Sequence, residues 1–418
     1  MFNLQQLKGL VQPGSHAGIP AHMTEAMALV RAGRLQDASA LLMGGDKNEA
    51  VTQTESPTKA TPARPSATDW VARGLASVQD ALGKLHVQAG DAPVPHAGGA
   101  THPTPSAPPR GARPSAGSPR EDAPGRLARV AFTHQGVSHP YLLYTPKTAA
   151  PAGGRPLVMM LHGCTQDAQD FARGTRMNVA AEAAGAFVLY PTQTQSANAN
   201  GCWNWFRPED QHAGAGEPAL LRAMLQHAMD AHPVDQQRVF VAGLSAGGAM
   251  AAVLAQQYPN VFAAVGVHSG LPTGAATSMM GALSAMKSGA KGWHPPHGAG
   301  HSRAVPLIVM HGGADTTVHK RNAEQLLRSA VAGIATSVQT QDKGVSSDGQ
   351  HYTRTCVLDA AEPASVVAEY WLLQGAGHAW SGGDAHGSYA SAHGVNASAE
   401  MMRFFLEHAL HSATAPKG

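Results

Sequence analysis

The chain has 418 residues, 43% of them hydrophobic and 14% charged, with a formal net charge of +2. This is enough apolar material for a sizeable core, and the near-neutral balance gives no electrostatic basis for binding nucleic acid or an anionic membrane. Three cysteines exclude a disulfide scaffold, no apolar run reaches the roughly 20 residues of a spanning helix, and no CxxC or HExxH spacing marks a metal site despite 23 histidines.

The first residues, MFNLQQLKGLVQPGSH, hold no continuous apolar core, so no ordinary secretory signal is expected. A helical apolar stripe follows in MTEAMALVRAGRLQDASALLMGG, interrupted at Gly33, and residues 1–45 read as an N-terminal helical segment. Residues 46–125 are rich in Pro, Ala, Gly, Ser and Thr, as in HPTPSAPPRGARPSAGSPR, the composition of a flexible linker. Within them Val71, Leu75, Val78, Leu82 and Leu85 recur at helix spacing over residues 70–85. Neither stripe can bury itself alone, so each is expected to dock on the main body or on a partner.

From Arg126 the pattern becomes strand, loop, helix, repeated. RLARVAFTH and SHPYLLYTP read as an antiparallel opening pair. RPLVMMLHG, AFVLYPTQ, RVFVAGLS, FAAVGVHSG, VPLIVMHGG and ASVVAEYWLLQG read as buried strands. DAQDFARGTRMNVAAEAAG, PALLRAMLQHAMDAH and AGGAMAAVLAQQYP read as helices, another helix separates the last two strands, and SAEMMRFFLEHALHS closes the chain as an amphipathic helix. Continuous apolar strands alternating with helices imply an α/β fold, a mostly parallel sheet covered on both faces, here over residues 126–412. The Gly/Ser/Ala-rich stretch from Pro272 to Arg303 suits a lid or surface loop.

GLSAG, residues 243–247, fits the G-x-S-x-G nucleophile elbow. Its context is a buried strand running into a helix of small residues, which the elbow requires. Ser245 would stand clear of the sheet at the positive end of that helix. The competing interpretation is a serine that merely caps a helix. A serine hydroxyl attacks only when a base takes its proton and an acid orients that base. In this architecture the partners follow in the order Ser, Asp, His, on loops after strands. Asp315 follows VPLIVMHGG and His378 follows WLLQGAG, so both occupy the expected places. Asp384 lies after the histidine, and His162 and His311 sit at strand ends, so these are weaker candidates. Two backbone N–H groups should receive the oxyanion: that of Ala246, and that of Cys164, with Gly163 as the alternative to Cys164.

LHGCTQDAQDFARGTRMNVAAEAAGAFVLYPTQ, GCWNWF, GLSAGGAMAAVLA, HGGADTTV and GAGHAWSGG together resemble the poly(3-hydroxybutyrate) depolymerase family of esterases, related to feruloyl and acetylxylan esterases. The resemblance implies an α/β-hydrolase fold and ester hydrolysis through an acyl-enzyme, with no cofactor or metal. It carries Ser245, Asp315 and His378 over as a triad and the Cys164 loop as oxyanion hole. It also implies a Cys164–Cys202 pair, which would clamp the oxyanion loop to the loop after the next strand; two reduced, buried thiols are the alternative. Ser381 stands where the family often has proline. The expected partner is an ester substrate: a polyester, an oligomer or a small acyl ester. Trp203, Trp205 and Trp380 are candidates to contact it, with core packing as the alternative. Family resemblance and the disulfide favour export, against the N-terminal reading. A feruloyl, acetylxylan or other short-chain esterase, a serine peptidase on the same fold, and a non-catalytic docking scaffold are the rival functions.

Overall fold

A computed structural model describes residues 123–295, 304–360 and 365–410. The chain divides between Arg110 and Gly111, and every described residue belongs to the second unit. The helical stripes expected at 23–45 and 70–85 lie outside the described residues.

The framework is a ten-stranded sheet in the order β1-β4-β6-β5-β7-β8-β9-β12-β11-β10. Its strands are β1 (Arg126–Val130), β4 (Tyr141–Thr145), β5 (Arg155–Leu161), β6 (Phe187–Pro191), β7 (Val234–Leu244), β8 (Ala264–His268), β9 (Leu307–Gly312), β10 (Ser337–Val345), β11 (His351–Asp359) and β12 (Val366–Leu373). The six from β6 to β12 run parallel, and the pairs at each end are antiparallel. Two short strands, β2 (Thr133–His134) and β3 (Val137–Ser138), form a separate ribbon between β1 and β4.

Strands β5, β6, β8 and β9 are buried throughout, as is the second half of β7, and alternate side chains feed two cores. Leu157, Met159 and Leu161 join the core beneath α3 (Gly216–Ala231), α4 (Ala246–Gln257) and α6 (Arg321–Val331). Val158 and Met160 face α1 (Ala168–Thr175), α2 (Met177–Ala184) and α7 (Ala397–Leu406). The single helix expected over 167–185 is two, because Arg176 adopts the left-handed conformation (φ 53°) that ends one and begins the next. The stretch from Pro272 holds a helix of its own, α5 (Met279–Ser288), capped by the Ser278 side chain.

The β10–β11 hairpin was not expected from sequence. Its outer strand, SVQTQDKGV, is exposed along nearly its whole length, so it carries no apolar alternation. The ends of β5, β7, β9 and β12 gather Gly163, Ser245, Asp315 and His378 at one edge of the parallel sheet, where α/β folds bind ligands.

Candidate active site

Ser245 sits at φ 56°, ψ −119°, between β7 and α4. A side chain in that region is strained and persists only where its surroundings enforce it. Here the Ser245 N–H donates to the His268 carbonyl at 2.9 Å, and the motif glycines leave the turn no room to relax. A Cβ at Gly247 would collide with the carbonyls of Leu161 and His162, and one at Gly243 with the Gly247 backbone. Ser245 makes no side-chain cap bond to its helix, which disfavours the helix-cap interpretation.

His378 Nδ1 lies 2.7 Å from Asp315 Oδ2. The other carboxylate oxygen accepts the N–H groups of Thr317 at 2.9 Å and Val318 at 2.8 Å. Burial works against the Asp315 charge, but the hydrogen bond and charge of His378, helped by the Val318 N–H, hold its pKa below the usual value. His311 lies 3.6 Å from the same carboxylate and is committed to the Val318 carbonyl at 2.8 Å. Burial lowers its pKa, as it does that of His268, which falls to about 3 with help from His311 and His378. Both are therefore neutral supports beneath the pair. Asp384, the rival acid, instead pairs with exposed His386 at 2.7 Å.

The loop after β5 abuts the serine: a Cβ at Gly163 would come 3.7 Å from Ser245 Cβ. The Gly163 N–H is engaged by Gln166 Oε1 at 2.9 Å and the Thr165 N–H by the Asn200 carbonyl at 2.7 Å. The N–H of Cys164 makes no hydrogen bond among the described residues, so of the two alternatives Cys164 retains the free donor. Ala246 is the first residue of α4, where N–H groups have no intrahelical acceptor. Cys164 and Cys202 form a disulfide, joining this loop to the segment after β6.

The three tryptophans lie in the core. Trp203, Trp205 and Trp380 are 1%, 5% and 1% exposed. Trp203 packs on His162, Trp205 meets Phe206 edge-on, and Trp380 stacks on His268 while donating to Ser398 Oγ. Their large apolar area is used against neighbouring rings, and the partly exposed aromatic beside His378 is Tyr389. Its ring lies edge-on to the histidine at 6.4 Å, and its hydroxyl accepts from Thr165 Oγ1 at 3.4 Å. Tyr389 also stands at φ 50°. It falls in a polar, glycine-rich loop with no periodicity, so only the three-dimensional arrangement reveals it. Also unforeseen is Glu217, whose carboxylate accepts from Gln193 Nε2, Asn204 Nδ2 and the Asn204 N–H. Among the described residues no group of three or more His, Cys, Asp or Glu is placed to hold a metal ion.

A serine on a strained strand–helix turn, with an Asp–His pair on the loops after β9 and β12, defines the class: an α/β-hydrolase. Acetyl xylan esterase from Aspergillus awamori shares the fold, with a TM-score of 0.52 and 20% identity over 68% of this chain and 100% of that one. Residues 139–342 match the family model described as Esterase PHB depolymerase. Poly(3-hydroxyalkanoate) depolymerase C of Paucimonas lemoignei is 35% identical over 41% of this chain and 43% of its own length. Feruloyl esterase B of Thermothelomyces thermophilus is 28% identical over 46% of this chain and 70% of its own. Acetylxylan esterase A of Emericella nidulans is 28% identical over 49% and 70%. The match thus spans less than half of the Paucimonas depolymerase.

Proposed function

We propose that the protein is a serine carboxylesterase that cleaves hydroxyalkanoate-type esters, oligomers or polymer. The observation that carries this reading is the 2.7 Å His378–Asp315 pair on the same sheet edge as the strained Ser245. His378 takes the Ser245 proton as the hydroxyl attacks the ester carbonyl. Asp315 holds the imidazole in the required tautomer and stabilises its cation. The N–H groups of Ala246 and Cys164 bind the oxyanion. His378 then protonates the leaving alcohol and activates the water that releases the acid. Tyr389 packs against the acyl or alcohol group, a role its position beside His378 and Thr165 favours over the buried tryptophans. The catalytic unit is assigned to residues 126–412, with 1–45 and 46–125 as segments preceding it.

The feruloyl and acetylxylan esterases among the relatives support a second reading, in which the substrate is a small aryl or acetyl ester. A panel of p-nitrophenyl acetate, butyrate and octanoate, hydroxybutyrate oligomers, methyl ferulate and a polymer suspension decides between them. Ser245-dependent turnover of the oligomers supports the first reading, and turnover of methyl ferulate or acetate alone supports the second. Activity that survives in Ser245→Ala refutes the nucleophile assignment, and no turnover of any ester refutes the esterase.

A further inference from the structure

We propose that the Tyr389 hydroxyl is a specificity determinant on the leaving-group side of the site: it donates a hydrogen bond to the carbonyl that follows the scissile ester, and so selects substrates whose departing alcohol is itself a hydroxyacyl unit. This rests on the esterase reading of Ser245, Asp315 and His378 and names the alcohol that the site prefers.

His378 has to reach the alkoxy oxygen of the ester, because it protonates the departing alcohol. The alcohol therefore leaves along the His378 side, and the polar groups beside that ring are the ones it meets. The Tyr389 ring lies edge-on to the imidazole, with centroids 6.4 Å apart. Its hydroxyl approaches Thr165 Oγ1 at 3.4 Å, one residue beyond the Cys164 N–H assigned to the oxyanion. The phenol thus bridges from the base to the oxyanion loop.

The proton of that phenol is uncommitted. Thr165 Oγ1 has one proton, and the Cys164 carbonyl at 2.6 Å is its nearer acceptor. The 3.4 Å approach to Tyr389 is longer than the about 2.5–3.0 Å of an O–H···O bond. Among the described residues the Tyr389 hydroxyl has no other partner. The side chain is half-buried, so a substrate oxygen can reach this donor.

The loop holds the donor in place before substrate arrives. Tyr389 stands at φ 50°, a conformation that glycine adopts freely and a bulky residue does not. Its carbonyl accepts from the Trp380 N–H at 2.7 Å. The preceding residue is pinned twice: the Ser388 N–H donates to Asp170 Oδ1 at 3.0 Å, and Gln166 Nε2 donates to the Ser388 carbonyl at 2.7 Å. A Cβ at Gly387 would collide with the Gly174 backbone, so the loop lies flush on α1. A strained tyrosine kept where glycine would relieve the strain, on a loop ordered by its own bonds, offers a hydroxyl that costs little further ordering on binding.

In a 3-hydroxyacyl chain the alkoxy oxygen is followed by two carbons and then the next carbonyl, whose oxygen lies about 3–5 Å away. That separation is compatible with the 6.4 Å between the imidazole and phenol rings. A plain alkyl alcohol offers the hydroxyl nothing to bind.

The test uses two substrates with the same acyl group. One is the methyl ester of the 3-hydroxybutyrate dimer, followed at its internal ester. The other is sec-butyl 3-hydroxybutyrate, whose alcohol has the same branch but no carbonyl. Full-length wild type, Tyr389→Phe and Ser245→Ala are compared by chromatography of the released products. The wild type is expected to favour the dimer ester. Loss of one neutral hydrogen bond should lower the dimer-to-sec-butyl ratio of kcat/KM by about three- to tenfold in Tyr389→Phe. A merely structural loss would lower both substrates alike and leave the ratio at its wild-type value. An unchanged ratio therefore overturns the role of the hydroxyl while leaving the esterase intact, and so does a wild type that does not favour the dimer ester. Tyr389→Phe keeps the ring and is expected to fold; if it does not, the wild-type ratio decides. No Ser245-dependent release from either substrate or from p-nitrophenyl butyrate overturns the esterase and this role together.

Discussion

Asp315 offers one carboxylate oxygen to His378 and the other to the backbone N–H groups of Thr317 and Val318, so the acid is anchored to its own loop and can orient the imidazole. Asn at this position would keep most of the shape but present a donor or a weaker acceptor to Nδ1, favouring the wrong tautomer. Asp315→Asn is expected to lower kcat by about 10³–10⁴ with a folded protein and similar KM. The pH profile of kcat/KM and a thermal melt check this. A loss under tenfold would move the orienting acid elsewhere.

The Cys164–Cys202 bridge closes a 38-residue separation and ties the oxyanion loop to the segment that also carries Asn200 and Trp203. Constraining the unfolded chain over such a loop is worth about 2–4 kcal/mol. Reduction, or Cys202→Ser with Cys164→Ser, is expected to lower the free energy of unfolding by that amount and to slow Ser245 labelling. Denaturant titration with and without reductant measures the first effect. An unchanged midpoint would show that the bridge does not form in solution. A thiol count gives the internal control: Cys356 is the one free thiol while the bridge is formed and one of three once it is reduced.

The parallel sheet and the Ser245 turn were legible because burial imposes continuous apolar strands and the turn admits only small residues on either side of the serine. Asp315 and His378 were legible through topology, each on a loop after an apolar strand. The β10–β11 hairpin was not, because β10 is an edge strand exposed along nearly its whole length. The tryptophans misled for a related reason. CWNW is preceded by glycine and polar residues, as a binding loop would be, yet the disulfide holds Cys202, Glu217 accepts from Asn204, and Trp203 is 1% exposed. Tyr389 is set by a contact to Thr165 that crosses more than two hundred residues of sequence and by the turn that brings it back beside His378, and short-range pattern cannot encode either.

Tyr389 carries two effects that substitution can separate. Its ring faces the His378 edge of the site, and its backbone is held at φ 50°. Removing an aromatic contact costs about 1 kcal/mol or more, so Tyr389→Ala should raise KM for acyl substrates several-fold with a smaller effect on kcat. Tyr389→Gly should lose the same contact while releasing backbone strain of about 1 kcal/mol, leaving it more stable than the alanine variant. Steady-state kinetics and melting of the two variants give both readouts. An unchanged KM in both would remove Tyr389 from the substrate site.

Glu217 supports the loop from beneath and titrates near neutrality. Burial, reinforced by the charge of Asp210, pushes its pKa up to about 7 from 4.5, against three N–H donors that favour the ionised form. Between those two values the folded protein keeps a proton that the unfolded chain has released. Stability therefore falls as pH rises through that window, by about 3 kcal/mol in all, and levels off above it. Glu217→Gln cannot ionise and should lose this dependence, so the difference in unfolding free energy between wild type and variant should shift in the variant's favour from pH 5 to pH 8. Urea titrations at the two pH values measure it. A difference that stays constant with pH would mean that Glu217 titrates in its ordinary range, with the three donors outweighing burial.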